Sequence, residues 1–260
     1  MPSVLNEKII QMSQLSPVIY KMTIQSEYIA QNASAGQFVN VKCSEGIQAL
    51  LRRPISICSV DKDRNTVDIV FQVKGIGTEV LSRKQPGDVV DIIAPLGKGF
   101  DISKENKKIA VVGGGIGIFP LLYILKEQQN AEKTAFLGFR GKDYAVMTDA
   151  FENASDKLYI TTDDGSVGQK GLVVDQLDEY LKGNEIDVIY ACGPTPMLKS
   201  VVEIADRYNT PCQVSLEQRM GCGIGACLVC ACKTRLGDEW EYSHVCKDGP
   251  VFWSHEVVLD

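Results

Sequence analysis

The stretch IAVVGGGIGIFPLL at residues 109–122 decides the fold of the central part of the chain. It is typical of a β-strand, a glycine-rich loop and a helix that begins near Phe119 and Pro120. The loop contains four glycines, which are Gly113, Gly114, Gly115 and Gly117. Proline suits the first helical turn because its missing N–H would lack a partner there anyway. Since free amides at a helix N-terminus attract phosphate, this loop is a candidate phosphate-binding turn.

A second turn of the same kind follows about 75 residues later. The segment VIYACGPTPML at residues 188–198 again predicts a strand, a small turn at Cys192, Gly193 and Pro194, and a helix. In a parallel sheet the ends of two such strands can reach one crevice, which is where ligands of open α/β sheets bind. Two simpler interpretations stay open: a tight βα turn for the glycines, and a small buried apolar side chain for Cys192.

The surrounding sequence divides into three parts. From residue 107 strand-like and helix-like segments alternate, which predicts parallel βαβ units and a nucleotide-binding α/β domain over residues 101–210. Residues 1–100 carry short runs of β-branched and apolar residues between turn residues, and they predict a small antiparallel β-barrel with helical turns after Thr78. Residues 211–260 form a segment that is too short to bury a core of its own, so it needs a covalent cross-link or a bound metal to hold it together.

The cysteines in that last part have a specific spacing. Cys222, Cys227 and Cys230 form C-x4-C-x2-C, and Cys246 follows after fifteen intervening residues. This is the plant-type [2Fe-2S] arrangement, and the glycines between the cysteines let backbone amides approach the sulfurs. The alternatives are a zinc site, for which His244 offers a further ligand, and an accidental cluster of buried thiols.

Composition excludes several classes of function. The chain has 260 residues and a net charge of −6, which argues against a predominantly phosphate-binding basic protein, and we expect no nucleic-acid partner. No apolar run is long enough to span a membrane, and Glu7 and Lys8 interrupt the region where a signal peptide would be apolar. We expect a cytoplasmic protein without a membrane partner. Nine cysteines, an odd number, argue against a disulfide framework.

Two motifs in the first hundred residues could hold a second phosphate group. LLRRPISICSV at residues 50–60 places Arg53 where its planar guanidinium can clamp a pyrophosphate, with the Ser56 hydroxyl on the strand that follows. The segment VKGIGTEVL at residues 73–81 brings three turn residues to a predicted helix start, which are Gly75, Gly77 and Thr78. Each motif alone is equally well explained as a surface arginine or a simple helix cap.

Taken in order along the chain, these motifs resemble those of the ferredoxin–NADP reductase superfamily. The resemblance implies an FAD-binding barrel followed by an α/β domain that binds NAD. The residues that it implies for FAD are Arg53, Pro54, Ile55, Ser56, Val70, Phe71, Gln72, Gly77 and Thr78. Those that it implies for NAD are Gly113, Gly114, Gly115, Gly117, Cys192, Gly193 and Pro194. One departure is Ile55, which stands where the superfamily often has a tyrosine that stacks on the flavin.

The C-terminal segments SLEQRMGCGIGACLVCACK and HVCKDGPVF resemble one branch of that superfamily, the electron-transfer subunits of NAD-dependent (class 1B) dihydroorotate dehydrogenase. This resemblance implies that Cys222, Cys227, Cys230 and Cys246 hold a [2Fe-2S] cluster. It also implies a heterotetramer of two plus two subunits in pyrimidine (UMP) biosynthesis. Electrons would pass from the FMN of the catalytic subunit through the cluster and FAD to NAD+. We expect no catalytic side chain in this chain and no dihydroorotate oxidation by it alone.

Other functions stay open from the sequence. One is the flavin and iron–sulfur subunit of another complex, of the sulfhydrogenase or NADH-dependent ferredoxin:NADP oxidoreductase type; the other is a zinc-stapled nucleotide-binding module. The choice between NAD and NADP is also open, because Arg140 could accept a 2′-phosphate whereas Asp143, Asp163 and Asp164 add acidic character nearby. Glu217 is either a surface carboxylate or a group that approaches flavin and nicotinamide.

Overall fold

The N-terminal part folds as a closed six-stranded barrel, as predicted. The computed structural model describes residues 2–44, 49–237 and 239–259, and the side chain of Leu236 is not described. The barrel strands are β1 (Ser3–Ser16), β2 (Ile19–Gln25), β3 (Phe38–Val41), β4 (Arg53–Asp61), β5 (Thr66–Gln72) and β6 (Val89–Leu96). Neighbouring strands are antiparallel in the order β1-β2-β5-β4-β3-β6. Closure leaves the barrel with no free sheet edge.

Two short helices connect strands of this barrel, α1 between β2 and β3 and α2 between β5 and β6. Helix α1 (Glu27–Asn32) is capped by the Ser26 hydroxyl, which accepts a hydrogen bond from the Ile29 amide. Helix α2 (Ile76–Ser82) begins two residues before the predicted start at Thr78. The helix begins early because Thr78 lies within its first turn and stabilises that turn. The Thr78 hydroxyl accepts a hydrogen bond from the backbone N–H of Lys74 at 2.9 Å.

The central part is a parallel sheet with helices between its strands, which confirms the predicted α/β architecture. The strands are β7 (Lys108–Gly114), β8 (Glu132–Phe139), β9 (Lys157–Thr162), β10 (Gln169–Lys170), β11 (Val188–Cys192) and β12 (Cys212–Ser215). The helices are α3 (Phe119–Glu127), α4 (Thr148–Ala154), α5 (Val173–Leu181) and α6 (Thr195–Arg207). The strands lie in the order β10-β9-β8-β7-β11-β12. Successive strands are added on one side of β7 up to β10 and then on its other side from β11, so the strand order reverses between β7 and β11. That reversal opens a crevice at the carboxyl ends of these two strands.

Barrel and sheet pack against each other through buried contacts. Tyr123 of α3 donates a hydrogen bond from its hydroxyl to the carbonyl of Ala33 beside the barrel, at 3.0 Å. The amide side chain of Gln213 both accepts from and donates to the backbone of Asp101. These bonds satisfy polar groups that would otherwise be buried without partners, so they fix how the two parts meet.

The C-terminal part is built into the sheet to a greater extent than its sequence suggested. Its first strand, β12, continues the parallel sheet, and its last, β15 (Val251–Trp253), runs antiparallel beside β12 as the edge strand. Between them lie the cysteine loop and a hairpin of β13 (Ala231–Leu236) and β14 (Glu239–His244). The boundary expected at residue 211 therefore lies inside the sheet, because a fully buried strand of four residues can extend a sheet without a helix after it. Within the described residues no helix is long and apolar enough to cross a membrane.

Candidate functional site

The two turns predicted to form one crevice lie against each other. β7 and β11 are hydrogen-bonded neighbours, so the glycine loop that follows β7 faces the turn that follows β11. A Cβ atom on Gly117 would lie 2.5 Å from the Cys192 carbonyl oxygen and 2.8 Å from Gly193 Cα. Only glycine allows the two backbones to approach this closely. The structure thus brings both motifs to the reversal point of the sheet.

A first cavity of about 420 Å³ lies between this crevice and the barrel. Its wall includes most of the residues that the resemblance assigned to FAD and two of those assigned to NAD: Arg53, Pro54, Ile55, Ser56, Val70, Phe71, Gln72, Thr78, Gly117 and Cys192. Most of this wall is apolar, and the volume is within the range of roughly 300–1,000 Å³ that is usual for small-molecule sites. A flat ring system with a polar tail fits a cavity of this kind.

Arg53 and two residues at the start of α2, Gly75 and Thr78, line one part of this cavity. The Arg53 guanidinium lies over Gly77, where a Cβ atom would meet its Nε at 2.8 Å. Gly77 does not itself line either cavity, but its lack of a side chain leaves room for the arginine beside the helix start. The Thr78 hydroxyl binds back to the Lys74 amide and the Gly75 carbonyl, so it stabilises the turn as well as lining the cavity.

A second cavity of about 490 Å³ lies on the other side of the glycine loop. Three of the residues assigned to NAD, Gly114, Gly115 and Pro194, line it together with Arg140 and Asp163. The structure does not bring every predicted residue to a cavity. Gly113 and Gly193 do not line either cavity; a Cβ atom on Gly113 would meet Ile118, and one on Gly193 would meet Met197. These two glycines allow close packing behind the loop.

The two cavities share part of their walls. Gln72, Lys74, Ile116 and Glu217 line both. A ring bound in the first cavity and a ring bound in the second would therefore meet at these side chains. Lys74 and Ile116 were not among the site residues predicted from the sequence. Their signal was their position, since Lys74 directly precedes the Gly75 turn and Ile116 lies between two glycines of the loop.

Glu217, in the shared wall, and Cys192, in the wall of the first cavity, both have shifted pKa values. Glu217 is exposed as a residue, but desolvation of its carboxyl by the surrounding protein raises the pKa of that group, and the nearby Lys74 acts in the opposite direction. Burial, and then the charge of Glu217, raise the pKa of the Cys192 thiol to about 12. Cys192 is therefore a neutral thiol at physiological pH, and Glu217 gains a proton more readily than an ordinary glutamate.

The raised pKa of Glu217 predicts a pH dependence of stability. The folded protein retains a proton on this carboxyl at pH values where the unfolded chain has lost it, so this group lowers stability progressively as pH rises above 4.5. Replacing Glu217→Gln removes that effect. We expect the thermal midpoint of the variant to exceed that of the wild type at neutral pH, and the difference to shrink toward pH 4. A difference that is independent of pH, measured by thermal denaturation, would contradict the assignment.

The cysteine loop lies next to the first cavity. Met220, just before Cys222, and Val245, just before Cys246, both line that cavity. Backbone amides of the loop point at sulfur: Ala226 N–H donates to Cys222 Sγ at 3.3 Å, and Gly225 N–H donates to Cys246 Sγ at 3.1 Å. Amides in this position stabilise thiolates and the sulfurs of a bound cluster.

The thiols of this loop form two pairs. The Cys227 side chain contributes to the lowered pKa of Cys222, and the Cys230 side chain contributes to the raised pKa of Cys246. In the described residues no group of three or more acidic, histidine or cysteine side chains already surrounds a single metal position. Two pairs fit a [2Fe-2S] cluster, because each of its two irons takes two terminal cysteine ligands.

The acidity of the first ligand candidate suits this role. Burial alone would raise the pKa of Cys222, but hydrogen bonds from the Ile224 amide, the Cys227 side chain and the Ala226 amide together lower it to about 6. Cys222 is thus largely a thiolate at neutral pH, which is the form that binds metal. Cys232 is buried on β13 among apolar side chains, and burial raises its pKa to about 11.

Comparison with known proteins agrees with this geometry. Residues 217–258 match the family described as the iron-sulfur cluster binding domain of dihydroorotate dehydrogenase B. The dihydroorotate dehydrogenase B (NAD(+)) electron transfer subunit of Geobacillus thermodenitrificans is 44% identical, over 92% of this chain and 93% of that protein. The same subunit of Caldanaerobacter subterraneus subsp. tengcongensis is 40% identical over 97% of both chains. The chain belongs to this family of electron transfer subunits.

Two solved structures are similar to this chain over most or all of its fold. A chain of an NADH-dependent reduced ferredoxin-NADP oxidoreductase, described in work on flavin-based electron bifurcation, aligns with a TM-score of 0.85 at 32% identity and covers 100% of this chain and 92% of its own. A ferredoxin NADP+ reductase from Neisseria gonorrhoeae, solved with FAD and NADP, aligns with a TM-score of 0.66 at 18% identity over 83% of this chain and 94% of its own. The second likeness concerns the fold alone, and it confirms the predicted reductase architecture.

Proposed function

We propose that this chain is the electron-transfer subunit of an NAD-dependent dihydroorotate dehydrogenase, carrying electrons from its FMN-containing catalytic subunit to NAD+. One observation supports this most strongly: the first cavity adjoins both the second cavity and the cysteine loop. It shares Gln72, Lys74, Ile116 and Glu217 with the nucleotide side, and Met220 and Val245 join it to the cysteine side. FAD in that cavity would convert between the electron pair of a hydride and the single electrons of a [2Fe-2S] cluster.

The protein's own residues bind and orient the cofactors in this proposal. Arg53 and the α2 turn hold the pyrophosphate of FAD, while Ile55, Val70 and Phe71 enclose its ring in an apolar wall. Gly114, Gly115 and Pro194 hold the phosphates of NAD. Gly117 keeps the two turns in contact, so NAD held at the second cavity would have its nicotinamide near the shared wall.

The surface around the cysteine loop suits a partner subunit. Ile224, Leu228 and Val229 are 52%, 73% and 54% exposed, although all three are apolar. Two aromatic side chains on the adjacent hairpin, Trp240 and Tyr242, are also exposed. Apolar side chains grouped in this way mark protein interfaces, and an interface here would bring a partner's redox centre close to the cluster.

The chain alone should perform only half of the overall reaction. Purified anaerobically, it should contain flavin and about two irons per chain, lose its flavin absorption on addition of NADH, and reduce an artificial dye. Dihydroorotate should cause no reduction until the catalytic subunit is added. A colourless protein with one zinc would contradict the proposal and support the zinc-stapled module; reduction by dihydroorotate without a partner would contradict the division of labour.

A second candidate is a reductase subunit of the ferredoxin:NADP oxidoreductase type. It is supported by the structural likeness at 32% identity over the full chain, although the dihydroorotate dehydrogenase relatives are more similar, at 40–44%. Both candidates use the same cofactors, so the partner distinguishes them. Reconstitution with the catalytic subunit should give dihydroorotate-dependent NAD+ reduction, whereas exchange with ferredoxin or NADP alone would favour the second candidate.

A further inference from the structure

Asn40 is a buried side chain without a polar partner. It is 1% exposed, on strand β3 of the barrel, and neither Oδ1 nor Nδ2 has a hydrogen-bond partner among the described residues. Burying an amide without a partner is costly, and nearly all buried polar side chains in native proteins are satisfied. The other side chain with such an atom in the described part of the chain is Thr161, which lines the second cavity.

The Asn40 side chain points toward the cysteine loop. Gly223, directly after Cys222, lies against the Asn40 amide so closely that a Cβ atom at this position would overlap Asn40 Nδ2. Gly223 also has a positive φ of 76°, so the backbone conformation favours glycine for a second reason. The loop thus presents bare backbone to a buried amide that belongs to the barrel.

The position of Asn40 on β3 explains this direction. Side chains two residues apart on a strand share a face, so Asn40 and Phe38 lie on the same side of β3. Phe38 packs in the same core cluster as Cys230 and Cys246. Phe38 also lines the first cavity, whereas Asn40 does not. Asn40 therefore lies beside the first cavity, on the face turned to the cysteine loop.

We propose that Asn40 tunes the iron–sulfur cluster by donating a hydrogen bond from Nδ2 to a cluster sulfur. Cluster and cysteine sulfurs accept hydrogen bonds but do not donate them, so the NH2 end of the amide is the end that suits them. The reduced cluster carries one more negative charge than the oxidised one. A donor in a region of low dielectric stabilises that charge more strongly, and the bond raises the reduction potential.

The test compares cluster potentials of the holoprotein by a redox titration followed by EPR. Asn40→Leu keeps the approximate volume and removes the donor. We expect the ratio of reduced to oxidised cluster at a fixed potential to fall about tenfold, which is a shift of ~59 mV to lower potential for one electron. Asn40→Asp replaces the donor by an acceptor and adds negative charge, so its shift should be in the same direction and larger. The iron content should stay at about two per chain.

Thr161→Val provides the matched control, since it removes the other unpartnered buried polar group and lies at the second cavity. It should leave the cluster potential unchanged. If the Asn40→Leu protein contains its cluster and the reduction potential of that cluster is unchanged, the proposal is overturned. The partner of the Asn40 amide would then be an ordered water. A shift of the flavin potential without a shift of the cluster potential would also overturn it.

A measurement on the unaltered protein covers the case in which the variants fail to fold. Residues 211–260 contain no asparagine, so 15N-asparagine labels no residue of the cysteine loop. Pulsed EPR of the reduced cluster should detect a coupled 15N nucleus, and its absence would contradict the proposal. The inference rests on the cluster of the proposed function. A protein without iron would refute both, whereas a normal cluster with neither shift nor coupling would refute only the role of Asn40.

Discussion

Replacing Cys222→Ser is expected to abolish the iron–sulfur cluster while leaving the flavin half of the protein active. Cys222 has the lowered pKa, accepts two backbone amides and pairs with Cys227, so its loss removes one of the two thiolates from one iron. Iron should fall well below two per chain. Electron transfer to the partner should fall by more than about 100-fold, which is the upper end of the loss caused by changing only an outer partner of a metal ligand. Dye reduction by NADH should persist.

The matched control is Cys232→Ala. Cys232 lies two residues after Cys230 but is buried among apolar side chains, and alanine preserves that environment. This variant should keep its iron and its EPR signal. If Cys232→Ala loses the cluster and Cys222→Ser retains it, the ligand assignment is wrong. Iron analysis and the EPR spectrum of the reduced protein decide between these results.

Replacing Gly117→Ala is expected to have the second largest effect, because the three nearest atoms that the new Cβ would meet are all backbone atoms. At 2.5 Å from the Cys192 carbonyl oxygen and 2.8 Å from Gly193 Cα, the methyl group leaves no flexible side chain to move away. The glycine loop and the turn after β11 must separate. We expect a loss of about 3 kcal/mol in the free energy of unfolding, a fall of roughly 5–10 °C in thermal midpoint, and weaker binding of both FAD and NADH.

A matched control exists on the same domain. A Cβ atom on Gly183, which follows α5, meets no atom within 4 Å, so Gly183→Ala should leave stability and both affinities unchanged. Thermal denaturation, flavin retention on gel filtration and NADH titration test the pair together. A Gly117→Ala protein with wild-type stability and nucleotide affinity would show that the two turns need not touch.

The motifs were predictable from the sequence because each depends on local chemistry. The spacing of Cys222, Cys227 and Cys230 is dictated by the size of a metal cluster. The glycine-rich turn at residues 113–117, between a predicted strand and a predicted helix, is likewise a local sequence pattern. The alternation of strands and helices likewise follows from hydrophobic periodicity. These patterns can be recognised in the sequence without knowing which residues pack against them.

The extent of the C-terminal segment was not predictable in the same way. β12 and β15 are short, and their place in the sheet depends on partners that are distant in sequence, such as β11 for β12. No local pattern separates such a strand from a loop. The domain boundary drawn at residue 211 followed the end of the alternating pattern, whereas the sheet continues past it.

The sequence by itself determined the barrel, the parallel α/β domain, the glycine-rich strand–turn–helix motifs and the cysteine set, because these depend on residue type, spacing and period. Only the tertiary structure decided how they combine. It placed Lys74, Ile116 and Glu217 in the wall between two cavities, and it turned the unpaired amide of Asn40 toward Gly223. These contacts join residues that lie from about 40 to about 180 positions apart. Long-range packing, which no local pattern encodes, brings them together.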